Sequence, residues 1–189
     1  CTAVYTFEML CALFLDFDGV VLDTVQVKSE AFVALFAEYP EHAEAIRQYH
    51  LDYAGTPRRA KFRYFHETLL QRPYTPTIDA ELCARFSRIV FEQVVQAAYM
   101  PGAQAFLDQY YNRVAMYVVS ATPEEELRRI VTTRGMAHYF QGVFGSPRSK
   151  ADIVTDLLSQ HATPPAQTLF VGDALADWHA AQEAGVPFV

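Results

Sequence analysis

The sequence predicts an α/β protein: a doubly wound parallel sheet with an inserted all-helical unit. Three observations predict it. The apolar run Leu13-Phe14-Leu15 turns abruptly into Asp16-Phe17-Asp18-Gly19, as a buried strand does when it delivers carboxylates to its carboxyl end. Residues 24–99 then hold a helical period. From Met100-Pro101-Gly102 onward strands alternate with helices, the rhythm of a parallel sheet covered on both faces.

In the opening strand alternate side chains share a face, so Asp16 and Asp18 point into one small volume. Two carboxylates so placed repel unless a cation or phosphoryl group sits between them, which reads as a metal or phosphate site; the plainer reading is a solvated Asp-rich turn. Gly19 lets the backbone leave in a direction that side chains forbid. In the helical block Ala31, Leu35 and Phe36 make one apolar stripe, and Ala43, Ile46 and Tyr49 or His50 make a weaker one after Pro40. Gly55-Thr56-Pro57 reads as a break and a restart, with Thr56 as N-cap and Pro57 at the first helical position. Phe62, Phe65 and Leu69 follow on one side, while Arg59, Lys61 and Arg63 read as a solvated face. Pro73, Pro76 and Thr77 close that helix and open a long one bearing Ile78, Leu82, Phe86, Ile89, Val90, Val94 and Ala97.

A short helix around 103–110 leads to a β-branched strand at 114–119, ending in Ser120. Thr122-Pro123-Glu124-Glu125 reads as a capping box that opens a helix running to Gly135. A strand at 142–144 precedes a helix carrying Ile153, Val154, Leu157 and Leu158, with Ser149 as its expected N-cap. A strand at 168–171 ends in Gly172-Asp173, and a helix to Gly185 and a last strand at 186–189 follow. Polar residues thus follow four strands at their carboxyl ends, where open α/β sheets bind ligands.

The 189 residues, 51% hydrophobic and 20% charged, suit one domain with a large insertion or two small ones. A formal charge of −7 with no basic block argues against nucleic acid as a partner. Cys1, Cys11 and Cys83 form no C-x-x-C pair and no even-numbered framework, which fits a reducing, cytoplasmic setting. The amino terminus is apolar but carries Glu8 and lacks a basic region, so no signal peptide is read, and no apolar stretch is long enough for a membrane span. The chain stops at Val189 in what reads as a strand, so a piece of a longer protein is an open expectation.

Ser120 lies between a buried strand and a helix start, where free N–H groups attract an anion, although an ordinary loop serine looks the same. Lys150 stands in the first turn of its helix, where a cation is disfavoured; a nearby anion or plain solvation would account for it. Asp173 and Asp177 flank the start of the last helix, four residues apart.

Together D-x-D-G, S, K and G-D-x-x-x-D, each in this order and context, resemble the haloacid dehalogenase superfamily over nearly the whole chain. The form of the first motif resembles its phosphatase-type branch with a helical cap, which holds phosphoglycolate phosphatases and beta-phosphoglucomutases. The resemblance implies a core of residues 1–23 and 100–189 and a cap of residues 24–99. It implies that Asp16 is the nucleophile forming an aspartyl-phosphate, and that Asp18 protonates the leaving oxygen and then activates water. Mg²⁺ would be held by Asp16, Asp173 and the Asp18 backbone carbonyl, with Asp177 a ligand or the neighbour of one. Ser120 and Lys150 would grip the phosphoryl oxygens, Gly19 and Ala121 would contact the substrate, and Arg58 on the cap loop would reach over the site. Dehalogenase relatives lack the second aspartate. Mutase relatives carry a histidine where this chain has Lys28 and an acidic residue where it has Gly172, so a Mg²⁺-dependent phosphatase of a small phosphorylated metabolite, monomeric or homodimeric, is the expected activity. The alternatives are a phosphomutase of the beta-phosphoglucomutase type and a non-enzymatic phosphoacceptor or binding protein.

Overall fold

Alternation along the strands sorts side chains onto two apolar layers, and the sheet forms between them. The computed structural model describes residues 10–189; the expectations that rest on Cys1, on Glu8 and on the missing signal peptide lie outside the described residues. Strands β1 (Ala12–Leu15), β2 (Ala115–Pro123), β3 (Gly142–Ser146) and β4 (Thr168–Val171) pair in parallel in the order β3-β2-β1-β4. Leu13, Leu15, Met116 and Val118 face one layer, while Ala12, Phe14, Tyr117 and Val119 face the other. Helices α5 (Ala103–Tyr110) and α6 (Glu124–Thr133) cover the first face through Leu107, Leu127 and Ile130. Helices α7 (Lys150–Gln160) and α8 (Leu175–Glu183) cover the second through Ile153, Val154, Leu157 and Ala181. The doubly wound expectation holds, and the last strand is reduced to a single bridge between Phe170 and Phe188.

Between β1 and β2 the chain forms α1 (Val25–Leu35), α2 (Ala43–Asp52), α3 (Arg58–Tyr64), a π turn at Phe65–Leu69 and α4 (Pro76–Gln96). Phe32 sits at their centre, with the rings of Phe86, His50, Phe62 and Phe65 at 4.4, 4.9, 5.7 and 5.8 Å. Burying one such ring contributes roughly 2–3 kcal/mol, so aromatic packing holds this unit together. The two segments that join it to the sheet run side by side: Asp23 N donates to Ala98 O at 2.9 Å and Met100 N to Val21 O at 3.0 Å. Among the described residues no helix is long and apolar enough to cross a membrane.

Two expected caps do not form. Helix α3 begins at Arg58 with Pro57 rather than Thr56 at the N-cap position, and α6 begins at Glu124 with Pro123 there. The second has a physical cause: β2 does not stop at Ser120 but runs on to Pro123, and the Thr122 hydroxyl is engaged elsewhere. Ser149 does cap α7, accepting from Asp152 N at 3.0 Å.

Candidate active site

The central strand β1 sets the site, because it ends between β2 and β4 and its next residue is Asp16. Asp16 is buried, its backbone N donates to Val171 O at 3.0 Å, and its Oδ1 accepts from Phe17 N at 2.7 Å. Lys150, the first residue of α7, reaches Asp16 Oδ2 at 2.9 Å and Asp177 Oδ1 at 2.5 Å. The capped first turn of α7 therefore tolerates a cation because carboxylates face it. Asp177 is fully buried in the first turn of α8, and its other oxygen accepts from Ala174 N at 3.1 Å.

Asp16, Asp173 and Asp177 each offer a carboxylate oxygen, all within 4.8 Å of one another. Three hard oxygen donors so close fit a divalent cation of the Mg²⁺ kind. The electrostatics agree: burial first, then the charges of Asp177 and Asp18, outweigh Lys150 and push the Asp16 carboxyl up to about 7. Burial and Asp177 raise Asp173 as well. A cation among these groups would remove the repulsion. Glycine makes the approach possible, since a Cβ at Gly19 (φ +77°) would lie 2.1 Å from Asp173 Oδ2. A Cβ at Gly172 would lie 2.4 Å from the Asp177 Cβ, so an acidic residue has no room there.

The Asp18 carboxylate faces a different set of partners. Lys28 Nζ lies 2.6 Å from its Oδ2, Thr24 donates to Oδ1 at 2.6 Å, and Thr122 donates to Oδ2 at 3.1 Å. Burial alone would raise this carboxyl, but the Lys28 charge and these hydrogen bonds outweigh it and bring it down to about 2. Ser120 is buried, with Oγ accepting from Thr122 N at 3.1 Å, and Ala121 lines the cavity beside Thr122. That cavity, about 60 Å³, is also lined by Asp16, Asp18, Asp173, Lys28, His50 and Lys61.

Two expectations about the helical unit change here. Lys61 is not on a solvated face: it is buried, and its Nζ lies 2.7 Å from His50 Nδ1. Arg58 does line the cavity, but its guanidinium is engaged by Glu126 of α6, with Nη1 to Oε2 at 3.0 Å, instead of standing free over the site. Arg59 is exposed and pairs with Asp79. The sequence gives Lys28, Thr24, Thr122, His50 and Lys61 no place in the site. One signal was available: the chain has three lysines, at 28, 61 and 150, against twelve arginines, and all three lysines are buried around this site.

The fold has known counterparts. Residues 13–189 match the family model described as haloacid dehalogenase-like hydrolase. A phosphoglycolate phosphatase from Pseudomonas fluorescens is 24% identical over 184 residues, a match that covers 92% of this chain and 66% of that protein, so the chain spans just under two thirds of its length. Among solved structures, a haloacid dehalogenase-like hydrolase from Streptococcus pneumoniae aligns with a TM-score of 0.70 at 19% identity, covering 95% of this chain and 83% of its own. CbbY from Rhodobacter sphaeroides, solved with xylulose-1,5-bisphosphate, aligns with a TM-score of 0.72 at 16% identity, covering 95% and 84%. The family match takes in every strand that carries the site except the first residue of β1, and the chain belongs to the haloacid dehalogenase-like hydrolases.

Proposed function

We propose that this chain is a Mg²⁺-dependent phosphomonoester hydrolase that acts on a small phosphorylated metabolite through an aspartyl-phosphate on Asp16. One observation carries the reading: Asp16 ends the central strand with Lys150 at 2.9 Å on one oxygen, two further carboxylates within cation-sharing distance, and Asp18 alongside. The phosphatase name of the Pseudomonas relative supports the reaction class. Asp16, Asp173 and the Asp18 backbone carbonyl would hold Mg²⁺, with Asp177 held beside them by Lys150. Bound there, the cation would offset the charge of the phosphoryl group.

Asp16 Oδ attacks phosphorus, the P–O bond to the leaving group breaks, and the leaving oxygen takes a proton from Asp18. Water then attacks the aspartyl-phosphate, giving its proton back to Asp18 and releasing phosphate. Lys28 holds Asp18 ionised in the free protein, which sets it as the base of the second step. Arrival of a phosphate dianion raises its proton affinity for the first. Lys150 and the Ser120 region steady the phosphoryl oxygens. Gly172 stands where mutase relatives carry an acidic residue, which supports hydrolysis over mutase chemistry.

We take residues 24–99 as a cap that opens and closes on the core about the paired linkers, excluding water when shut. Phosphate release from a panel of phosphomonoesters, with Mg²⁺ and with EDTA, tests the reading. Turnover dependent on Mg²⁺ is expected, and full turnover in EDTA overturns the metal assignment.

A further inference from the structure

Two of the three buried lysines have carboxylates facing them: Lys150 has Asp16 and Asp177, and Lys28 has Asp18. Lys61 differs. Its Nζ bonds only to His50, at 2.7 Å to Nδ1 and 3.4 Å to the backbone O, and stands 5.6 Å from the Phe32 ring centre. Among the described residues it forms no ion pair, although it is 2% exposed. A buried ammonium without a counter-charge is costly unless a partner arrives from outside.

The surroundings show where that partner would come from. Lys61 and His50 sit on the helical unit and line the same 60 Å³ cavity as Asp16, Asp18 and Asp173, which sit on the core. The core residues that line it thus offer oxygen ligands for a cation and a phosphoryl group, and Lys61 of the helical unit offers an ammonium to the same space. Burial, and then the positive charge of Lys28, pull the Lys61 ammonium down to about 7, with Asp18 opposing. His50 is pulled down to about 3 by burial and by Lys61, so it stays neutral and its Nδ1 accepts a hydrogen bond from the lysine. The nearby Arg58 is held by Glu126.

We propose that Lys61, steadied by His50, binds a second anionic group of the substrate, so that the substrate is a short phosphomonoester carrying a carboxylate or a second phosphate near the scissile ester. This rests on the phosphatase reading above and narrows its substrate class. Because Asp16 and Lys61 line one small cavity, of about 60 Å³, the second anionic group must stand close to the scissile ester.

The test compares kcat/KM, at saturating Mg²⁺, for phosphoglycolate, a short alkyl bisphosphate, ethyl phosphate and p-nitrophenyl phosphate. The unmodified protein should prefer phosphoglycolate or the bisphosphate over ethyl phosphate by about 10- to 100-fold, mostly in KM, as expected for one charge-assisted contact. Which of the two wins identifies the anionic group. In Lys61→Met that preference should collapse toward one; should this variant not fold, Lys61→Gln is read in its place. Turnover of p-nitrophenyl phosphate without any preference for an anionic ester overturns the inference alone. A Lys61 variant that slows all esters equally, leaving the preference intact, also overturns it and makes Lys61 structural. If the unmodified protein turns over no ester, the phosphatase reading falls, and this inference with it.

Discussion

Arg58 of α3 and Glu126 of α6 form a buried ion pair across the boundary between the helical unit and the sheet, and Ser87 of α4 donates to the same Glu126 oxygen that Arg58 Nη1 reaches. Both side chains are under 10% exposed, so removing one partner strands the other charge, at a cost of about 3–5 kcal/mol. Glu126→Gln should therefore lower the melting temperature by about 6–20 °C, at roughly 2–4 °C per kcal/mol for a chain this long. Arg58→Met in the same background should recover part of the loss. A melting temperature unchanged by Glu126→Gln would show that the pair contributes nothing.

The same pair carries a pH signature. Burial raises the Glu126 carboxyl, but hydrogen bonds and charge from Arg58 outweigh this and leave it below its usual value. A depressed carboxyl stabilises the fold at pH above the ordinary glutamate value near ~4.3 and loses that contribution as pH falls through its folded value. The difference in denaturant midpoint between the unmodified protein and Glu126→Gln should be constant from pH 8 to about 5 and shrink below about 4. A difference that grows on acidification would contradict the assignment.

Gly19→Ala should weaken Mg²⁺ binding while leaving the fold intact. The added methyl meets Asp173 Oδ2 at 2.1 Å in a backbone conformation that L side chains avoid, so Asp173 must swing away. Titration calorimetry should show at least a tenfold weaker Mg²⁺ affinity with an unaltered circular dichroism spectrum. Unaltered affinity would remove Asp173 from the ligand set.

Asp16→Asn and Asp18→Asn should fail differently. The first should lose turnover and covalent phosphorylation together. The second should lose about 10²–10⁴-fold, the range for a general acid or base. With p-nitrophenyl phosphate, which needs little protonation of its leaving group, Asp18→Asn should release a burst of about one nitrophenolate per protein, then turn over slowly. Acid-quench mass spectrometry should place the phosphate on the peptide containing Asp16. An adduct on Ser120 would overturn the roles.

Much of this was legible in the sequence. The strand before Asp16, the Ser149 cap and the parallel alternation follow from local pattern, because each is a relation between residues a few positions apart. The misread residues share one property: their solvation is set from far along the chain. Lys28 meets Thr122 across 94 positions, and Arg58 meets Glu126 across 68. Thr122 looked like a helix cap because helix-start chemistry and site chemistry both ask for a hydroxyl at the end of a strand. Lys61 looked solvated because α3 alternates it with Arg59 and Arg63, and nothing local shows that its face turns toward Phe32 and His50.

The inward placement of every lysine has a practical consequence for watching the protein move. Its outer positive charge is carried by guanidinium groups, so a water-soluble amine-directed acylating reagent finds no readily reachable lysine while the helical unit is shut. On the cap motion proposed above, lysine acylation, followed peptide by peptide, becomes a clock for opening. The Lys61 peptide should react at the rate at which the cavity is exposed and slow sharply when phosphate and Mg²⁺ hold it closed, while Lys150, shielded by two carboxylates, should lag behind.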